Sequence, residues 1–241
     1  MALISQNFTQ TENWRMDLHA KTQYLSEVSL FEGLTQEDLI DLASIASIKK
    51  YCKHQIIYRV EDSPEDVYIL LNGIIKIISK SGEGREVIKT IIHPKSLFGI
   101  EYLSSQNARS NTAKSIDKDV VCFAISSKDF KSYLKDNWAL TEKFIKMLGT
   151  KLIYLEDRFE SLVFKDARER IIDFLKDNAK TNGRQVGLEM LIKHSLTQQD
   201  IANYTGTSRQ TVTYVLNDLK RQNQIYFKRK SILIRDIANL S

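Results

Sequence analysis

Apolar residues along this chain of 241 residues change their spacing several times. Between Ser26 and Lys50, Leu30, Phe31, Leu34, Leu39, Leu42, Ile45 and Ile48 recur at three- and four-residue intervals, which predicts helix. Thr35 followed by Asp38 supplies a capping-box start for its second half. From Tyr51 to Ile125 the apolar runs shorten and become β-rich (55–60, 67–71, 74–79, 86–92 and 120–125). Turn signals separate them, Asn72-Gly73 and Ser81-Gly82-Glu83-Gly84 among others, and both prolines fall between runs. Short strands this closely spaced predict a sandwich or barrel-like domain.

Helical periodicity returns after Ser126. Ile145, Leu148, Leu152, Leu155, Phe159 and Leu162 follow one another at intervals of 3, 4, 3, 4 and 3, a narrow seam sustained for nearly three heptads. A helix lying on its own domain shows a broader apolar stripe, so this pattern predicts pairing with a second copy of the chain. A further helix begins at Asp166 and runs to about Asn178, where Thr181-Asn182-Gly183 breaks it. The expected organisation is an N-terminal extension (1–25), a β domain (26–137), a dimerisation helix (138–164) and a C-terminal domain (165–241).

The C-terminal domain carries the densest signal. In the run from Leu196 to Leu219, Thr197 and Asp200 form a helix-start box, and Gly206 offers the left-handed backbone that a sharp inter-helix turn requires. Ala202 is small where two helices would press together. Ser208 is placed to cap a second helix with Val212, Val215, Leu216 and Leu219 on its buried face. This is a helix-turn-helix pattern. Its exposed face would present Ser208, Arg209, Gln210, Thr211, Thr213 and Tyr214, with Thr197 at the first helix start. These side chains can hydrogen-bond base edges or phosphates. Beyond it, Ile225-Tyr226-Phe227 and Ser231-Ile232-Leu233-Ile234 read as a hairpin whose turn, Lys228-Arg229-Lys230, would grip phosphate as a wing.

Charge agrees with that reading. Residues 165–241 hold 14 Lys and Arg against 8 Asp and Glu, whereas residues 1–164 hold 21 against 22. The whole excess sits in the last third, as expected of a segment made for an acidic partner. Two cysteines, Cys52 and Cys122, are too few for an iron–sulfur cluster and are expected as buried free thiols. The four histidines have no metal-ligand spacing, and His93 is the one candidate for a haem ligand. No metal is expected. No apolar run is long enough to span a membrane and no secretory signal opens the chain, so a cytoplasmic protein without a membrane partner is expected.

A β-roll, a long dimer helix and a winged helix-turn-helix containing Thr-Ser-Arg-Gln-Thr-Val together resemble the Crp/Fnr transcription regulators, over about residues 26–236. Asn72-Gly73, Leu97-Phe98-Gly99 and Arg109-Ser110 support the resemblance. It implies an α+β fold: an N-terminal double-stranded β-helix or jelly roll of the cyclic-nucleotide-binding kind, then a dimerisation helix, then a winged helix-turn-helix. It further implies a non-enzymatic homodimer that reads a pseudo-palindromic DNA operator with half-sites ~34 Å apart. RNA polymerase is the second implied partner, and the segment 180–187 lies where family activators touch it.

The chain departs from the family where a cyclic nucleotide would bind. The resemblance places an effector pocket at Gly99, Glu101, Arg109, Ser110 and Glu156. The ribose-holding glutamate is expected directly after Phe-Gly, where this chain has Ile100, with Glu101 one place late. The Thr-Ser pair that contacts adenine falls on Leu155-Glu156, and Leu155 already belongs to the apolar seam. The reading is therefore a regulator without cofactor, independent of cyclic AMP, in which Arg109 makes a structural ion pair with Glu101. Three alternatives stand beside it: a regulator answering to a cyclic nucleotide or another small anion through Arg109-Ser110, a cupin-type β-barrel enzyme, and a ligand-binding signalling module. In the recognition helix, Gln210 and Tyr214 stand where the family archetype has Glu and a second Arg, which predicts an altered half-site.

Overall fold

The structure, a computed structural model, describes residues 16–104 and 107–241. β3 (Asp66–Asn72) and β8 (Asp119–Ser126) are apolar at almost every position because both faces of each are covered. Val67, Ile69, Leu71, Val121, Phe123 and Ile125 point to a layer of helices, while Tyr68, Leu70, Val120, Cys122 and Ala124 face a second sheet. The first sheet has the order β1-β8-β3-β6, with β1 at Ser47–Cys52 and β6 at Leu97–Phe98. The second has the order β2-β7-β4-β5, with β2 at Ile56–Tyr58, β4 at Ile75–Lys80, β5 at Glu86–Ile92 and β7 at Thr112–Ser115. All pairings within both sheets are antiparallel. Two such sheets packed face to face make the β-roll.

The helix expected over 26–50 is instead several elements. α1 (Leu18–Ser26) and α2 (Gln36–Ile45) flank a single 3-10 turn at Ser29–Phe31, and β1 has begun by Ser47. Gly33, at φ +81°, turns the chain before Thr35 and Asp38 close the predicted capping box on α2. Ile48 faces Phe123 across a strand ladder and is not on a helix. The supposed extension also divides differently. Residues 18–25 belong to the β-roll, since Leu25 is buried and the Tyr24 hydroxyl lies 3.0 Å from the Leu70 carbonyl and 3.1 Å from that of Leu71. Residues 1–15 of that extension lie outside the described residues. The two thiols also differ: Cys122 is buried, its pKa pushed up to about 12 by desolvation, but Cys52 is exposed.

α3 (Ser127–Asp136) leads into α4 (Trp138–Phe164), capped by Asn137. α4 buries only Leu140 and Phe144, both against the helical layer of the β-roll. α5 (Ala167–Asn182) starts from an Asp166–Glu169 capping box and runs past Asn178. A strand follows it directly: β9 (Gly183–Val186), then β10 (Glu189–Lys193). These join the wing hairpin, β11 (Ile225–Lys228) and β12 (Ser231–Ile234), in a sheet of order β11-β12-β10-β9.

The C-terminal domain is docked on the β-roll. Ile116 is 3% exposed within the same cluster as Ile171, Leu175, Val212 and Leu216, with Ile74 and Ile91 packed against it. Lys76 of β4 reaches Asp200 at 2.8 Å and Glu86 at 2.6 Å. Burial works against the Lys76 charge, but the two carboxylates outweigh it and hold its pKa above the ordinary value.

Candidate nucleic-acid interface

The helix-turn-helix is built from local rules and then locked by long-range ones. α6 (Gln198–Thr205) begins with Thr197, whose side chain accepts from the Asp200 amide while Asp200 Oδ2 accepts from the Thr197 backbone. It ends at Gly206, at φ +66° and ψ +40°, which an L side chain adopts at a cost. Ser208 caps α7 (Arg209–Arg221) through the Thr211 amide. Ala202 is fully buried between the two helices, and Val212, Val215, Leu216 and Leu219 face inward. Arg170 of α5 donates from Nε to the Thr205 carbonyl (2.8 Å), and Arg168 pairs with Asp218 of α7 (2.7 Å). Nothing in the local sequence pointed to these two arginines.

The reading face is open. Arg209 and Gln210 are exposed on the first turn of α7, and their side chains make no hydrogen bond or ion pair among the described residues. Tyr214 is 64% exposed one turn on. Thr213 is less free, its hydroxyl 2.7 Å from Gln198 Oε1 and 2.9 Å from the Arg209 carbonyl. Thr211 is half-buried beside Ser208, with 2.8 Å between the two hydroxyls. Lys228, Arg229 and Lys230 are exposed at the wing turn, which the His194 amide ties to the domain through the Lys230 carbonyl (3.0 Å).

The residues assigned to an effector pocket behave otherwise. Arg109 is 2% exposed. Its Nη1 donates to Glu101 at 2.8 Å and to the Gly99 carbonyl at 2.7 Å, and its Nη2 donates to the Asp66 carbonyl. The guanidinium stacks 4.3 Å over the Tyr58 ring. Gly99 sits at φ +75°, and a Cβ there would meet Arg109 Nη1 and the Tyr68 ring at 3.0 Å. Three of the five donors are thereby committed within the protein, and Nε is buried without a hydrogen-bond partner among the described residues. Ser110 is exposed, its hydroxyl accepting from Asn111 (2.9 Å). Glu156 is exposed on α4.

The α4 seam is uncovered in the single chain. Ile145, Leu152, Leu155, Phe159 and Leu162 are between 47% and 68% exposed, and Leu148 is 38% exposed. Leu162 also reaches the helix-turn-helix: a Cβ on Gly206 would lie 3.2 Å from its Cδ2. Arg158, unremarked in the sequence, joins α4 to both neighbours, donating to the Tyr204 and Lys89 carbonyls and lying 4.2 Å over the Tyr204 ring. Among the described residues no helix is long and apolar enough to cross a membrane, and no three His, Cys, Asp or Glu are grouped to hold a metal.

Comparison with known proteins agrees with this layout. The model of the cyclic nucleotide-binding domain matches residues 48–137, and that of the Crp-like helix-turn-helix domain matches residues 169–241. A CRP-like cAMP-activated global transcriptional regulator of Mycobacterium tuberculosis is 25% identical over 219 residues, 91% of this chain and 97% of the relative. An anaerobic regulatory protein of Bacillus subtilis is 24% identical, covering 80% of this chain and 81% of its own. FixK2 from Bradyrhizobium japonicum shares the fold with a TM-score of 0.73 at 24% identity, over 82% of this chain and 98% of that one. With a matching sensor-type domain, a matching helix-turn-helix and relatives spanning both, the chain belongs to the Crp/Fnr family of transcription regulators, which are not enzymes.

Proposed function

We propose that the chain acts as a homodimer that binds a pseudo-palindromic DNA operator without needing cyclic AMP. The observation that carries DNA reading is the pair Arg209 and Gln210, exposed on a capped helix with their donors uncommitted. Arg can bond guanine bidentately and Gln adenine. The α4 seam supplies the second copy: fully burying each leucine contributes roughly 1.5–3 kcal/mol. Independence from cyclic AMP rests on Arg109, because an incoming cyclic phosphate must displace Glu101 from a buried ion pair. A second reading has one observation in its favour, the buried, unpartnered Arg109 Nε, which a small anion entering beside Ser110 would satisfy. Contact with RNA polymerase belongs to the proposal through the family alone.

Selection of random duplexes by the purified protein, at near-physiological salt and without nucleotide, tests the main reading. Recovery of a two-fold symmetric site is expected. Recovery only after adding a cyclic nucleotide would overturn the independence. Sedimentation of a Leu148→Glu, Leu155→Glu double variant tests the dimer: the mass should fall to that of one chain, and an unchanged mass would end that assignment.

A further inference from the structure

The wing and the recognition helix enclose a groove of about 600 Å³, and one of the residues lining it comes from the other domain. Lys53, in the turn between β1 and β2, lines this groove together with Arg209, Lys228, Arg229 and Lys230. None of the described residues lining it is a carboxylate. Five cations without a counter-charge repel one another within one groove, where the screening length is ~8 Å at physiological salt. An anionic polymer relieves that repulsion, and duplex DNA offers one charge per ~1.7 Å of axis.

The turn carrying Lys53 is held in place. His54, at φ +65°, closes it, its amide donating to the Ser115 carbonyl at 3.2 Å. The Ser115 amide returns to the Gln55 carbonyl at 2.9 Å, and the Cys52 amide donates to Gln55 Oε1 at 2.7 Å. Lys53 itself is exposed and makes no hydrogen bond or ion pair among the described residues. Docking of the C-terminal domain through Ile74, Ile91 and Ile116 sets the distance between this turn and the wing.

We infer that Lys53 of the β-roll is a DNA-phosphate contact, so that the sensor-type domain itself grips the duplex beside the bases read by α7. This rests on the DNA-binding reading above and extends it to a domain that the helix-turn-helix match does not cover. A lysine on phosphate anchors the backbone and carries no sequence information. Its loss therefore weakens all sequences alike, whereas the loss of Arg209 weakens one.

The test is fluorescence anisotropy of the full-length protein on its selected site and on an unrelated duplex, over a series of salt concentrations. Lys53→Ala should lose the same fold-affinity on both duplexes. The slope of log K against log salt should flatten by about 0.9 per contact, hence by about 2 for a dimer. Lys53→Arg should restore the slope, which a merely altered turn would not. Lys53→Ala with wild-type affinity and slope, while Arg209→Ala loses selectivity, overturns the contact and leaves the DNA reading standing. Calorimetric binding of inorganic phosphate that Lys53→Ala abolishes, with an unchanged DNA slope, makes the groove a small-anion site and also overturns the contact. Absence of DNA binding by the unsubstituted protein, with any duplex, removes both readings together.

Discussion

Arg109 and Arg209 are the same residue put to opposite uses. In the β-roll, Arg109 is buried under Tyr58 with three of its donors given to Glu101 and to the carbonyls of Gly99 and Asp66. In the helix-turn-helix, Arg209 stands exposed on a capped first turn with its donors uncommitted. A guanidinium whose donors are satisfied internally holds loops together, and one whose donors are open waits for a partner. The contrast is one of commitment: the Arg109 guanidinium joins Gly99, Glu101 and Asp66 within the β-roll, and that of Arg209 makes no hydrogen bond or ion pair among the described residues.

The strongest way to break the contrast is to remove Arg109. Arg109→Ala leaves Glu101 and two carbonyls without their donor, and breaking a buried pair in this way costs about 3–5 kcal/mol. Urea unfolding should report that loss, while DNA affinity per folded molecule stays near wild type. A variant of unchanged stability with altered ligand response would show Arg109 to be a ligand site. Arg209→Ala should behave oppositely. It should cost about 1–3 kcal/mol on the selected operator and relax one base position. Its folding stability should stay within about 0.5 kcal/mol of wild type. Equal weakening on every duplex would assign Arg209 to phosphate.

The smallest effect lies at the boundary between the two regions. Burial is the first cause that lowers the pKa of both His93 and His194 below the ordinary 6.5. His93 Nε2 lies 3.1 Å from Asn182 Nδ2 across the domains, which suits a neutral ring accepting from the amide. The unfolded chain takes up protons on both rings near pH 6.5, and the folded one does so only at lower pH. Their contribution to stability is thus complete above about 6.5 and is lost as pH falls toward the folded values. The ion-paired carboxylates Asp200 and Asp218, held below 3.8, add their own loss only in more acid solution. A urea midpoint that declines between pH 7.5 and 5.5, and declines less in His194→Gln, is expected.

What the sequence made legible was mostly local. The Thr35–Asp38 and Thr197–Asp200 boxes, the Ser208 cap and the Gly206 turn each act within a few residues, so their spacing announces them. The long apolar strands β3, β5 and β8 were equally plain. The short strands β1, β7 and β9 were not, because Ser-Ile-Lys-Lys-Tyr-Cys, Thr-Ala-Lys-Ser and Gly-Arg-Gln-Val carry little apolar pattern and become strands through distant partners. Among the candidate pocket residues, Gly99, Glu101 and Arg109 are joined by hydrogen bonds, and Glu156 stands exposed on α4. Lys53, Lys76, Arg158 and Arg170 could not be found by spacing at all. Lys76 and Asp200, for example, are 124 positions apart, and only the docking of two domains makes them neighbours.

That docking has a thermodynamic consequence. Asp200 uses Oδ2 to start α6 and Oδ1 to receive Lys76, so the first turn of α6 cannot fray without also releasing a lysine of the β-roll. Ile116 likewise belongs to one domain by chain and to the other by packing. Burial of a single such isoleucine contributes roughly 1.5–3 kcal/mol, against a total of about 5–15 for a folded domain. The β-roll and the helix-turn-helix are therefore expected to unfold together, and cutting the chain between α4 and α5 would strip Ile116 from the cluster it shares with the C-terminal domain.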